Sequence, residues 1–256
     1  MRIAAIVLGL ALCATAAWAT PPYRNSVASN DIAFITADDP NGLNCVVSLG
    51  RATREMPDPR IDDLFAKARI HEARFADGVN TEIWVHDDIG AAAPAYAQKV
   101  GRAMGHLPTA MRRKLDHVVV LAGDGSAFAE DVGQFFVLFA ENIDTRLAND
   151  DLEETVFHET VHATLDIPHA GSAAWRAAQA ADRDAITAYA ANNLGKEDLA
   201  ETALFAYALV ETPGRLSSRV VTQLETRVPR RIAYLRALFA DMSPRFQQVA
   251  PALPCN

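Results

Sequence analysis

"ETVFHETVHATLD" (residues 154–166) sets two histidines four residues apart, with a glutamate directly after the first. At a helical period, Thr155, His158, Glu159, His162 and Asp166 share one stripe. Leu152, Val156, Phe157, Val161, Ala163 and Leu165 cover the remaining surface. A helix apolar nearly all round belongs in a protein interior. Asp150 followed by Glu153 fits a capping box, which predicts a helix over about 150–166. Two buried histidines and a buried glutamate need partners, and a metal ion can supply them. Histidines at i and i+4 can aim two imidazole nitrogens at one Zn²⁺. The glutamate at i+1 is turned away from ligation and can act as general base on a water. The competing reading is a hydrogen-bonded pair of core histidines.

A catalytic zinc takes three protein ligands and keeps one position open, so a third ligand has to come from elsewhere. His169 follows His162 by seven residues. The pattern with a glycine three residues after the second histidine and a third histidine three further on fails, because Leu165 and Pro168 occupy those positions. His169 is therefore expected at the helix exit or rim. Asp166 lies one turn beyond His162, and three ligands from one straight helix would surround an ion poorly. Asp166 reads as a polar group behind the ligands or at the helix end. A third source is "NNLGKEDLAETALFAYALVE" (192–211), where Glu197 and Glu201 stand at i and i+4 ahead of Leu204, Phe205, Leu209 and Val210. Two carboxylates opening a largely apolar helix need partners. One can bind the zinc and the other can accept a hydrogen bond from a ligand histidine. Taken alone, the pair also fits an exposed helix start with favourable dipole charges.

With His158-Glu159-Thr160-Val161-His162 followed by Glu197-Asp198-Leu199-Ala200-Glu201, the chain resembles the gluzincin-type zinc metallopeptidases. It is most similar to the group typified by the anthrax lethal-factor catalytic domain. The resemblance covers about residues 135–210 and implies a zincin-like fold. It implies Glu197 as the third zinc ligand and Glu201 as the carboxylate behind a ligand histidine. It also implies a tyrosine before the ligand glutamate that stabilises the oxyanion. Tyr189 is the nearest counterpart, with an offset one residue longer, and Tyr207 or His169 could substitute. The implied activity is hydrolysis of peptide bonds in a peptide or protein substrate, with Glu159 as base. A non-catalytic zinc-binding or scaffold protein is the alternative. Glu159 argues against it, because binding alone does not require that residue.

The rest of the chain predicts the setting of this site. The 256 residues, half of them hydrophobic, suit one domain with a sizeable core. A net charge of −8 and the absence of any long basic run argue against nucleic-acid binding. "MRRK" (111–114) reads as a solvated helix end. The start, "MRIAAIVLGLALCATAAWAT", has a basic residue, a short apolar run and Ala17-Trp18-Ala19 before the cut, as in a secretory signal over 1–19. Export to the periplasm or the exterior follows from that reading, with no membrane attachment after cleavage. Of the three cysteines, Cys45 and Cys255 then remain, and an oxidising compartment predicts a disulfide between them.

The fold class expected is α+β within a single domain, 20–256. A small mixed sheet is predicted in a strand-rich part (20–130), and a mainly helical part (131–256) carries the active-site helix. Residues 20–30 read as an irregular lead-in, and 43–50 as a strand. A loop is expected at 54–63, and a hairpin over 68–88 turning at Asp77-Gly78. A helix over 91–105 and a short one over 107–114 precede apolar strands at 115–123 and 133–143. Later helices are predicted at 173–191, 197–210 and 218–241. "GQFFVLFAENI" (133–143) could be an edge strand beside the metal, although an ordinary core strand fits it as well.

Overall fold

The structure, a computed structural model, describes residues 20–28, 30–182 and 184–255. The leader expected at 1–19 lies outside the described residues. Among the described residues the fold is mixed α+β, built on one six-stranded mixed sheet.

Three strands make an antiparallel meander: β1 (Leu43–Glu55), β2 (Phe65–Phe75) and β3 (Asn80–His86). The hairpin between β2 and β3 turns at Asp77-Gly78 as expected. Gly78 has φ +86°, and a Cβ there would collide with the Ala250 carbonyl, so the turn requires glycine. The predicted strand at 43–50 continues to Glu55, which narrows the loop expected at 54–63.

α1 (Ala93–Met104) carries the chain across to β4 (His117–Leu121), which pairs parallel with β3. β6 (Phe135–Phe139) pairs parallel with β4, and the short β5 (Phe128–Glu130) closes the edge antiparallel to β6. β6 is buried on both faces: Phe136 and Leu138 join the main core, while Phe135, Val137 and Phe139 join a second cluster. That explains its unbroken apolar run.

The stretch 133–143 is therefore an inner strand and not an edge, and it stops at Phe139. α3 (Ala140–Ala148) begins immediately after it, so the helical part starts at 140, about ten residues later than predicted. An apolar run has no periodicity to mark where strand gives way to helix.

α4 (Leu152–Leu165) packs against β5, β6, α1 and α7 (Asp198–Glu211), which accounts for the burial of nearly every residue on it. Its apolar side chains, Phe157 and Val161 among them, are fully buried in the main core. Each such side chain contributes about 1.5–3 kcal/mol. The capping box is not formed. Asp150 has φ +55°, Asp151 takes the N-cap position, and the Asp151 carboxylate accepts from Arg146 Nη1 at 2.9 Å. A five-residue π-helical turn (Asp166–Ala170) ends the helix.

Two predicted long helices are each divided. The 173–191 stretch splits into α5 (Ala173–Asp182) and α6 (Ala188–Asn192), because Thr187 is extended and bridges Tyr23. The 218–241 stretch splits into α8 (Ser218–Arg227) and α9 (Pro229–Asp241), because Pro229 lacks an N–H and starts a new helix. The short helix expected at 107–114 is the single turn α2 (Thr109–Arg112).

"MRRK" is not a solvated end throughout. Arg112 is fully buried, ion-paired with Asp77 and placed over the rings of Phe75 and Phe246. Cys45 and Cys255 form a disulfide with Cα atoms 5.9 Å apart. Among the described residues no helix is long and apolar enough to cross a membrane.

Candidate metal centre

The polar stripe read from the sequence faces one groove. Thr155, His158, Glu159, His162 and Asp166 all line a cavity of about 1070 Å³. Its far wall is the segment entering β5, with Ser126, Ala127, Phe128 and Ala129. A second wall comes from Asn25, Val27 and Ala28, and a third from Tyr189 and Gly195–Glu197. The edge strand beside the histidines is thus β5.

Three donor atoms converge at the bottom of the groove. His158 Nε2 and His162 Nε2 are 3.1 Å apart. Glu197 Oε2 lies 3.2 Å from His162 Nε2 and 3.4 Å from His158 Nε2. Ligands about 2.0–2.1 Å from a tetrahedral ion stand about 3.3 Å from one another. The triangle has that size, and the donor set, two imidazoles and a carboxylate, suits zinc. These are the only residues among those described that form such a group of three. α7 begins at Asp198 with Glu197 at its N-cap, so the third donor sits where the second helix enters.

The field around the triangle is negative and favours a positive charge inside it. His162 donates from Nδ1 to Asp166 Oδ2 at 2.7 Å, which leaves Nε2 free to face the triangle. Burial opposes a charge on His162, but the hydrogen bonds to Asp166 and Glu197 outweigh it and push its pKa up to about 10. For Glu197, burial again opposes ionisation. The two imidazoles prevail and hold its carboxyl well below the usual carboxylate range. Glu159 is buried beside the triangle and is not one of its corners. Burial raises its pKa, against the opposing pull of the two histidines, and so favours a carboxyl able to take and return a proton.

The other predicted residues are placed as follows. Tyr189 is half-exposed on the groove wall. Burial, the Glu197 charge and a hydrogen bond to Glu197 push its pKa up to about 12, so its hydroxyl remains a donor. Tyr207 is buried in the core, where its hydroxyl donates to the His106 carbonyl at 3.2 Å and accepts from Arg245, and it does not line the groove. His169 sits in the π-turn with Nδ1 2.8 Å from the Tyr234 hydroxyl, also off the groove. Glu201 is buried next to His158. Its Oε1 lies 3.8 Å from His158 Nδ1, too far for a hydrogen bond, and the carboxylate accepts from Ser26 and from the Thr187 side chain.

Sequence reasoning did not find Ser26, the wall formed by 25–28 or the three-residue strand β5. None of these stretches carries a hydrophobic period or a motif. No family model, curated protein or solved structure matches this chain.

Proposed function

We propose that this protein is an exported gluzincin-type zinc endopeptidase with a zincin-like fold, in which His158, His162 and Glu197 hold Zn²⁺. The observation that carries this reading is the donor triangle of 3.1, 3.2 and 3.4 Å beside a buried glutamate on an open groove. A purely structural histidine pair needs neither the third donor nor the groove. When bound, the metal supplies Lewis-acid activation of a water and of the peptide carbonyl.

The chain's own residues do the rest. Glu159 takes a proton from the attacking water and returns it to the leaving amine. Asp166 fixes the tautomer and orientation of His162 through Nδ1. Tyr189, released from Glu197, donates its hydroxyl to the oxyanion. β5 pairs through one edge only, with β6, and its residues line the groove. An extended peptide can therefore add along its free edge as a further strand, which suits a peptide or protein substrate.

The test is Glu159→Gln against wild type, each assayed for bound zinc and for cleavage of a broad peptide library. Zinc retained with cleavage abolished is the expected result. Wild type that binds zinc and cleaves nothing leaves the non-catalytic zinc-binding or scaffold alternative.

A further inference from the structure

The first described residues carry no motif, yet the structure builds them into the metal centre. Tyr23 bridges Thr187 in parallel. The Tyr23 and Arg24 carbonyls accept from the N–H groups of Ala188 and Tyr189 at 2.8 and 3.0 Å. This strap therefore fixes the segment that bears Tyr189. Ser26 follows, with no exposed surface. Its N–H donates to Glu201 Oε2 at 2.9 Å and its hydroxyl donates to Glu201 Oε1 at 3.0 Å. Two donors from this one residue engage both oxygens, and the Thr187 side chain is a further partner, so Ser26 is the residue that ties down both ends of the carboxylate. Glu201 itself is buried at the wall of the groove.

His158 Nδ1 is also buried and makes no hydrogen bond. With Nε2 ligating a metal in the donor triangle, Nδ1 carries the ring hydrogen. The carboxylate beside that hydrogen is Glu201, at 3.8 Å. At that distance the carboxylate attracts the ring hydrogen without bonding it, and the plane in which Ser26 holds Glu201 sets how that charge faces the His158 ring.

We propose that Ser26 is a positioning residue of the metal centre, acting through Glu201 on the imidazole of His158. The inference rests on the zinc reading of the triangle. Loss of a partner behind a ligand costs about 10–100-fold in metal affinity. Ser26→Ala should therefore raise the zinc Kd about 10-fold, while Ser26→Thr, which keeps the hydroxyl, restores most of it.

A loss of general packing would behave differently from a loss of positioning, and a double-mutant cycle separates them. In a Glu201→Ala background there is no carboxylate to hold, so Ser26→Ala should change the zinc Kd less than about 2-fold. The visible absorption of the Co²⁺-loaded single variant gives a second readout of ligand geometry. Its bands should shift in Ser26→Ala and return in Ser26→Thr. A wild type that binds no zinc overturns both the metal reading and this proposal. A wild type that binds zinc, with Ser26→Ala unchanged in Kd and cobalt spectrum, overturns this proposal alone. So does an equal loss of affinity in the presence and absence of Glu201.

Discussion

His158, His162 and Glu197 share a small volume in which two Nε2 atoms and a carboxylate oxygen face one another, an arrangement that suits a cation among them. Asp166 and Glu197 raise the proton affinity of His162, which expresses the same preference for positive charge. The three donors and the residues behind them should then differ sharply in their effect on zinc. Glu197→Ala removes a corner of the triangle. Its loss of zinc affinity should go well beyond the roughly 10–100-fold that follows loss of an outer partner. Asp166→Ala and Glu201→Ala should fall within that lesser range. Zinc titration of the three variants orders them, and equal retention of zinc by Glu197→Ala removes that residue from the site. Tyr189 belongs to a different class. Tyr189→Phe should lower kcat while zinc stays bound, which steady-state kinetics on any cleaved peptide together with zinc content can check.

At the scale of elements, the site depends on where α4 and α7 are held, and a buried carboxylate on α4 contributes to that. Glu154 accepts hydrogen bonds from the backbone N–H groups of Phe34 and Ile35 at 2.6 and 3.3 Å, joining the N-terminal segment to the helix. Burial, only partly offset by those two bonds, raises its pKa to about 8 from an ordinary 4.5. Between these values the folded protein binds more protons than the unfolded chain, so stability falls as pH rises. The contribution of this group is fully present below about 4.5 and is lost as pH rises through about 8. The slope for one proton is at most about 1.4 kcal/mol per pH unit. Glu154→Gln should flatten that slope in denaturant midpoints measured across the window. An unchanged slope would place its origin elsewhere.

Part of this arrangement is legible in the sequence. α4 was readable because its polar stripe and its apolar remainder both follow a 3.6-residue period. α7 was readable because an apolar run follows two carboxylates. The turn at Asp77-Gly78 was readable because only glycine suits it. The boundary between β6 and α3 was not, since both sides are apolar. The break at Thr187 was not, because a pairing with Tyr23, remote in sequence, creates it. Arg112 looked like one of a solvated basic cluster, and only Asp77, distant in the chain, explains its burial. Ser26 was invisible because a serine in an irregular segment carries no signal until its partner is known.

Over the whole molecule, the helices join the sheet's main core, while a second cluster of strand residues with Met56 covers the other face. The groove opens where the short edge strand β5 meets α4. The C-terminal tail is tied back to the sheet by the Cys45–Cys255 disulfide, and the backbone N–H groups of Val249 and Ala250 bond to Asp77. That bridge closes a span of 210 residues. Replacing both cysteines by serine should cost about 2–5 kcal/mol of stability in denaturant unfolding, with zinc content unchanged in the folded protein. Loss of zinc from that variant while folded would link the tail to the site. The proposed site couples a metal in the triangle to hydrolysis through Glu159. The most direct measurement is Glu159→Gln, purified with wild type and assayed for zinc stoichiometry and peptide cleavage together. One zinc per chain is expected in both proteins, with cleavage only by wild type. Equal cleavage by the two, or no zinc in wild type, would contradict it.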